Sequence, residues 1–485
     1  MNTKMISFIL GHVLRIEAAL MCFPILVALV YQEQCGLWFV AVAAVCLITG
    51  YLLLRCKPES NVFYLKEGCI ATALSWVFMS FFGCMPFYLS GQIPKFTDAF
   101  FETVSGFTTT GSSILPNVEA LARCMLFWRS FTHWIGGMGV LVFLLAILPM
   151  TGGSNMNLMR AESPGMVVGK LVPRVRYTAR ILYYIYMVLT VIEFIFLLAG
   201  RMPMFDAICI TFGTAGTGGF GVLNSGCADY TAYQQWVITI FMLIFAVNFN
   251  AYFLIIFGKA KKAFSMEEVR VYWGIVVVAI VFVFAYTYIP GMKMEPALRA
   301  ASFQVASLIS STGYATVDFN LWTAPAKMML ILVMFIGACG GSTGGGLKVS
   351  RIITALKAIK KELGLYIYPK RVQNIKMDDK SVGSETVHAT YVYFLTFTLI
   401  FGCSLFVVSL NGYDFETNFS AVLTTLNNMG PGFNAVGPTM NFSHMSVLTK
   451  YVLIFDMLAG RLELYPMLLL CMPSIWKEYL KSVKQ

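Results

Sequence analysis

Residues 307–316 read SLISSTGYAT, and they place a glycine with hydroxyl-bearing neighbours between two apolar segments. Three other stretches share this design: FTDAFFETVSGFTTTGSS at 96–113, FDAICITFGTAGTGGFG at 205–221 and FETNFSAVLTTLNNMGPGF at 415–433. Each begins near an acid, continues for about three helical turns and breaks at a glycine. The acids are Asp98, Asp206, Glu295 and Glu416, and the glycines are Gly111, Gly218, Gly313 and Gly430. A unit that recurs four times along one chain predicts a repeat architecture.

The composition of the chain is that of a polytopic membrane protein. Of its 485 residues, 58% are hydrophobic and 12% are charged, against about 45–50% and about 25% in soluble proteins. Apolar runs of about 20 residues, enough to cross a bilayer, recur from end to end and predict an all-α fold without a sizeable soluble domain. The predicted spans are 6–31, 37–55, 68–90, 123–150, 178–200, 231–257, 270–290, 325–362, 386–411 and 447–476, with the eighth interrupted.

The net charge of +11 is explained better by orientation in a membrane than by a nucleic-acid partner. Most of the 35 lysines and arginines fall in loops on one side once the N-terminus is placed in the cytoplasm. Both termini are therefore predicted to be cytoplasmic. The twelve cysteines and four histidines are dispersed without metal or disulfide spacing, and no motif of an enzyme class appears.

The four glycine-broken stretches predict a pore for a monovalent cation. Non-helical backbone at membrane depth is tolerated only where it is buried in protein or lines a wet cavity. The negative ends of four short helix dipoles would meet near that cavity, and glycine lets successive carbonyls turn the same way. Rings of backbone carbonyls can replace the hydration shell of K⁺, whereas a divalent ion would favour carboxylates. For any single stretch, a plain turn between spans is the alternative.

Several motifs give the chain a family resemblance. SSTGY at 310–314 resembles the filter sequence of K⁺ channels, reduced to one glycine. Together with FTDAFFETVSGFTTTG, FDAI and GTGGF at 205–208 and 216–220, TTLNNMGPG, GACGGSTGGGLKVSRI at 337–352 and AGRLELYP at 459–466, it resembles the Trk/Ktr/HKT superfamily, closest to the TrkH/TrkG type of bacterial potassium uptake subunit.

The resemblance implies four covalently joined pore repeats around one K⁺ pathway in the bacterial inner membrane. The corresponding units are a two-span hairpin at 1–60 and repeats at 61–160, 161–262, 263–375 and 376–485. It also implies a homodimer and a cytoplasmic TrkA-type regulatory ring, with the nucleotide (ATP/ADP or NAD) on that partner. No covalent cofactor is implied, and K⁺ at the filter is the only metal.

By the same resemblance, the filter is formed by four short stretches whose side chains differ, so it is only pseudo-four-fold. The filter residues are Thr109, Thr110, Gly111 and Ser112; Gly216, Thr217, Gly218 and Gly219; Ser311, Thr312, Gly313 and Tyr314; and Asn428, Met429, Gly430 and Pro431.

A dense glycine cluster interrupts the eighth span. Each glycine inside a helix costs about 1 kcal/mol relative to alanine, so this span should unwind, although close helix packing through small residues is the alternative. The resemblance makes the segment a gate under the filter. The gate residues are Gly340, Gly341, Ser342, Thr343, Gly344, Gly345, Gly346 and Arg461.

Arg461 lies within the last apolar run, where a charge costs roughly 2.5–3.5 kcal/mol. It should therefore face the pore, or form an ion pair with Glu463 or Asp456. Arg129 and His133 are interpreted as packing or polar-network residues. The basic segment from 347 to 380, together with Arg160 to Arg180, is either an orientation signal or a docking surface for the regulator.

The sequence thus predicts K⁺ uptake through a channel-like filter, gated by an intramembrane loop and a cytoplasmic partner. It leaves open whether H⁺ or Na⁺ is co-transported in symport. A Na⁺-coupled Ktr-type transporter is one alternative, and a secondary transporter of another solute built on broken helices is a second. A membrane enzyme is not expected.

Overall fold

The computed structural model describes residues 2–55, 64–139, 175–369, 373–378 and 380–477. Within these ranges the regular secondary structure is helical, apart from a short antiparallel pair, Lys376–Met377 with Lys380–Ser381. The end of the predicted span 123–150 and the basic residues Arg160, Lys170 and Arg174 lie outside the described residues.

The chain begins with two packed apolar helices. They are α1 (Thr3–Leu20) continued by α2 (Cys22–Tyr31), and α3 (Gly36–Leu54). A Cβ atom on Gly11 would lie 2.8 Å from the carbonyl oxygen of Gly50, so these helices approach through glycine at their crossing. The predicted N-terminal pair of spans is present.

Four sets of helices follow, and in each set the second helix is short. The first set is α4 (Leu65–Leu89), α5 (Phe96–Phe107) and α6 (Arg123–Gly137). The second is α7 (Val175–Ala199), α8 (Met204–Gly216), α9 (Ala232–Phe245) and α10 (Phe249–Ile256), followed by α11 (Ala260–Ser265). The third is α12 (Glu267–Thr287), α13 (Met294–Ile309), α14 (Ala324–Ile336) and α15 (Val349–Ile367). The fourth is α16 (Ser384–Ser409), α17 (Phe415–Asn427), α18 (Val447–Arg461) and α19 (Tyr465–Cys471).

Among the described residues, six helices are long and apolar enough to cross a membrane, and a bent pair makes up to seven. The interruption predicted for the eighth span is present, because residues 337–348 separate α14 from α15. The prediction of continuous spans at 231–257 and 447–476 is wrong. Helices α9 and α10 are bent by 91°, and Asn248 caps the second of them through its side chain.

The last span breaks for a local backbone reason. Glu463 and Leu464 have positive φ angles of 54° and 71°, which a helix cannot contain. Pro466 then lies in the first turn of α19, where its missing N–H has no partner to lose.

The packing of the short helices closes a circle. Helices α8, α13 and α17 each contact the helix that follows the short helix of the preceding set, namely α6, α9 and α14. Helix α5, the first of the four, contacts α18 of the last set. The ends of all four short helices therefore meet around one centre.

Candidate functional site

The four short helices end in one shared backbone motif. The residues Thr109, Thr217, Ser311 and Asn428 all have left-handed φ angles between 55° and 60°. The next residue in each case donates its N–H to the carbonyl five positions earlier: Thr110 to Ser105 at 2.9 Å, Gly218 to Gly213 at 2.8 Å, Thr312 to Ser307 at 2.9 Å and Met429 to Thr424 at 2.8 Å. These bonds satisfy carbonyls that a helix end leaves free.

A glycine with a positive φ angle follows each motif, and it corrects the register of the second stretch. These glycines are Gly111, Gly219, Gly313 and Gly430, with φ angles of 79° to 85°. Gly218, which the sequence aligned with Gly111, instead lies at the position of Thr110. The second stretch therefore runs from Thr217 to Phe220 rather than from 216 to 219. A sequence pattern cannot distinguish two adjacent glycines. The alignment of the second stretch with the others is set by the residue at which α8 ends, Gly216.

The four glycines form a closed ring with the carbonyls of their neighbours. A Cβ atom on Gly111 would lie 1.9 Å from the oxygen of Gly218, and one on Gly219 would lie 1.9 Å from that of Thr312. On Gly313 the corresponding distance is 2.5 Å to the oxygen of Met429. On Gly430 it is 3.0 Å to that of Thr110. Each stretch thus abuts the next, and the fourth abuts the first.

Side chains around this ring bond to protein. The Ser112 hydroxyl donates to the Gly430 carbonyl at 2.9 Å, and the Asn428 amide donates to the Thr110 hydroxyl at 2.9 Å. The Tyr314 hydroxyl donates to the Ile210 carbonyl at 3.2 Å. Thr312 shares a hydrogen bond of 2.7 Å with the hydroxyl of Ser310. These groups are engaged with protein, whereas the Thr109 hydroxyl is buried without a hydrogen-bond partner, so the backbone carbonyls and this hydroxyl are the oxygen atoms of the ring that remain as ligands for a cation.

Acidic residues begin the four short helices, as the sequence predicts. Asp98, Asp206, Glu295 and Glu416 all lie in first turns, where a negative charge stabilises the helix dipole. The Asp98 carboxylate also pairs with Lys450 of α18 at 2.6 Å, which ties the first and last sets together. Asp414 caps α17, and hydrogen bonds from Thr417 lower its pKa, so it stays ionised in mildly acidic solution.

Residues 337–348, named here the glycine segment, contact the ends of two short helices, α13 and α17, next to the ring. The N–H of Gly345 donates to the Ser311 hydroxyl at 2.5 Å, and that of Gly346 donates to the Asn427 carbonyl at 3.0 Å. A Cβ atom on Gly345 would lie 2.2 Å from that carbonyl oxygen. Of the predicted gate residues, Gly344, Gly345 and Gly346 are thus brought against the ends of α13 and α17, and glycine is required for the approach.

Glu268, which the sequence analysis missed, ties the glycine segment to the first turn of α15. It is 4% exposed, and its Oε1 atom accepts the N–H groups of Gly340 at 2.6 Å and Ser350 at 3.1 Å. Its Oε2 accepts the Asn248 side chain at 3.0 Å. A carboxylate beside an apolar span, in the run MEEVR at 266–270, is the sequence signal that could have indicated this role.

Arg461 joins the glycine segment to α6. Its guanidinium donates to the carbonyls of Thr343 and Gly137, both at 2.9 Å, and to that of Gly136. The two carboxylates considered as its partners bind elsewhere: Glu463 pairs with Arg351 of α15, and Asp456 accepts the Ser404 hydroxyl at 2.7 Å. Arg461 therefore lies at the point where the glycine segment meets the helix end of the first set.

Comparison with known proteins gives a consistent result. The family model TrkH, described as a cation transport protein, matches residues 38–478. The chain is 34% identical to the Trk system potassium uptake protein TrkH of Salmonella typhimurium, over 99% of this chain and 100% of that protein. It is 30% identical to TrkG of Escherichia coli, over 98% and 100%. The crystal structure of the potassium transporter TrkH from Vibrio parahaemolyticus is similar, with a TM-score of 0.86, 31% identity and coverage of 98% and 100%.

Proposed function

The chain belongs to the TrkH family of cation transport proteins, and on that premise we propose that it conducts K⁺ into the cell as the membrane subunit of a Trk-type uptake system. The observation that carries this proposal is the closed ring, in which four glycines abut four carbonyls of neighbouring stretches. Four helix C-termini, each with a negative partial charge, end beside it. Carbonyls without carboxylates suit a monovalent cation that must enter and leave quickly.

The glycine segment and Arg461 are the proposed gate. The segment rests on residues that immediately precede or begin the filter stretches, and the arginine bridges it to α6. A fixed positive charge at this place opposes the passage of K⁺. Opening then requires the segment and the guanidinium to move away from the pathway together.

Regulation from the cytoplasm completes the proposal. The partner is a TrkA-type ring that binds the nucleotide, and the basic helix α15 is a candidate for its docking surface. As the family resemblance implies, the transporter works as a homodimer in the bacterial inner membrane. The distribution of basic residues supports an orientation with both termini in the cytoplasm. No nucleotide site on this chain is proposed.

Flux measurements in liposomes test the function. The purified chain should carry K⁺ and Rb⁺ in preference to Na⁺, with the partner changing the rate but not the preference. Measuring the same fluxes with and without an imposed pH or Na⁺ gradient distinguishes a channel-like path from H⁺ or Na⁺ symport, including the Ktr-type alternative. Equal passage of K⁺ and Na⁺, or transport of an organic solute only, would contradict the proposal.

A further inference from the structure

We propose that Arg129 of α6, held by Glu102 of α5, is a positioning residue that fixes the filter stretches of the first and second repeats against each other and so sets the K⁺ over Na⁺ preference. This inference rests on the proposed function. It assigns a role in selectivity to two residues that lie outside the filter stretches.

The carboxylate of Glu102 holds residues 113 and 114, which follow Gly111, through hydrogen bonds. Its Oε2 accepts the Ile114 N–H at 2.9 Å, and its Oε1 accepts the Ser113 hydroxyl at 2.9 Å. The residue is 1% exposed. Because Glu102 belongs to the short helix of the same repeat, it sets the distance between that helix and its filter stretch.

The guanidinium of Arg129 carries this contact across to the second repeat. Its Nη2 lies 2.7 Å from Glu102 Oε1, and its Nε donates to the same oxygen at 2.9 Å. Its Nη1 donates to the Gly221 carbonyl at 3.3 Å, and its centre lies 4.1 Å from the ring of Phe220. One buried group therefore touches the segments that follow both Gly111 and Gly219, whose stretches are neighbours in the ring.

His133 extends the same contact by one helical turn. It lies four residues after Arg129, hence on the same face of α6. Its Nε2 accepts the Phe220 N–H at 3.3 Å, so the proton is on Nδ1, which donates to the Gly106 carbonyl at 2.8 Å. A Cβ atom on Gly218 would lie 2.1 Å from this imidazole. Helix α6 thus supports the second stretch along its length.

The arrangement is specific to one quarter of the ring. The positions that correspond to Glu102, counted back from the ring glycines, hold Ile210, Gln304 and Ala421. Gln304 is neutral and donates to the Thr316 hydroxyl at 3.4 Å, whereas Glu102 accepts from the chain that follows its glycine. Among the described residues, Arg129–Glu102 is the ion pair whose two side chains are both at most 2% exposed.

The test compares ion preference in variants of this pair. Glu102→Gln keeps the shape of the side chain but removes its charge, and Arg129→Lys keeps the charge but removes the fork that reaches two segments. Both variants should lower the K⁺/Na⁺ flux ratio about tenfold, since each loosens two stretches together. The double variant Glu102→Gln/Arg129→Gln leaves no unpaired charge, and it should fold better than Arg129→Gln alone without recovering the ratio.

A matched control separates positioning from general stability. Asp98→Asn removes the other ion pair of α5, at the end distant from the filter, and it should lower protein yield without changing the K⁺/Na⁺ ratio. For a variant with too little flux, the shift in melting temperature produced by K⁺ compared with Na⁺ gives the preference directly. A wild-type ratio in folded Glu102→Gln and Arg129→Lys would overturn the inference and leave the proposed function intact. Absence of K⁺ preference in the wild type would overturn both.

Discussion

At the ring glycines, Gly111, Gly219, Gly313 and Gly430, the geometry of the backbone by itself requires glycine. Both the positive φ angle and the contact with a neighbouring carbonyl oppose a side chain, but the two effects can be separated. Gly91 has a φ angle of 73° and nothing within 4 Å of a Cβ atom, so it reports the cost of the conformation without a collision.

We expect alanine at Gly111 or Gly219 to lower K⁺/Na⁺ discrimination most, because the built Cβ atom lies 1.9 Å from an oxygen. Alanine at Gly313 should be intermediate, and at Gly430, where the distance is 3.0 Å, mildest. The left-handed conformation alone costs about 1–2 kcal/mol, so Gly91→Ala should lower stability while leaving the flux ratio unchanged. Flux and melting temperature measured for all five variants check this, and an equal effect at Gly430 and Gly111 would contradict the ring geometry.

Arg461 gives a second prediction at the scale of one residue. At an effective dielectric constant of about 20 and a distance of about 8 Å, its charge repels K⁺ by about 2 kcal/mol, or about thirty-fold in occupancy. Arg461→Ala should therefore raise basal K⁺ flux per folded molecule, and Arg461→Lys should raise it less. If yield and melting temperature fall and flux does not rise, the arginine stabilises the protein through its carbonyl contacts instead of opposing K⁺.

Among the elements, the glycine segment shows most clearly how close backbone contact with neighbouring helices restricts a segment to glycine. Its residues touch two helix ends on one side and Glu268 on the other. Glycine density in the sequence predicts that the helix unwinds here. The run MEEVR at 266–270 signals a carboxylate beside a span, but its partners, the N–H groups of Gly340 and Ser350, are set by the packing of distant segments and not by the local sequence.

The substitution Gly345→Ala should raise basal K⁺ flux severalfold, because its Cβ atom would lie 2.2 Å from the Asn427 carbonyl oxygen and displace the segment. Gly340→Ala is the control in the same segment: its nearest neighbour is the Ser350 side-chain hydroxyl at 3.0 Å, which can rotate away. Flux through liposomes without the partner is the measurement. Unchanged or lower flux in well-folded Gly345→Ala would count against a gate.

The sequence predicts most of the helices and fails where one residue changes the outcome. Apolar length gives α3, α4, α7, α12 and α16 within a few residues. Apolar length does not predict the helix breaks at 246–248 and 462–464, because the same apolar sequence can form one straight helix or two helices with a bend between them. The one-residue shift from Gly218 to Gly219 is missed for a similar reason, since the register depends on where α8 ends, at Gly216, and the sequence pattern does not fix that residue.

For the whole molecule, an ion pair connects the proposed docking helix to the proposed gate. Arg351 of α15 pairs with Glu463, two residues after Arg461, and its guanidinium also lies 4.0 Å from the Tyr393 ring. We therefore expect a movement of α15 to be transmitted to the break between α18 and α19.

Neutralising this link should uncouple the partner from the pore. We expect Arg351→Gln or Glu463→Gln to reduce severalfold the change in K⁺ flux that the regulatory partner produces, with the K⁺/Na⁺ ratio unchanged. The control is Lys357→Gln, which removes the pair of α15 with Glu267 at 2.5 Å but has no contact with the last helix break. Flux with and without the partner, together with binding of the partner, checks the prediction. Full regulation in both variants would refute the link.

The closed ring also has a consequence for inheritance. When a pore is assembled from identical subunits, a single change in the gene appears at every corner, so most changes are lost. Here each corner has its own codons, and the contact distances already differ, from 1.9 Å at Gly111 and Gly219 to 3.0 Å at Gly430. Each ring position can therefore accumulate substitutions at its own rate. The position of Gly430 has the most room, so we expect glycine to be replaced there first in the course of evolution.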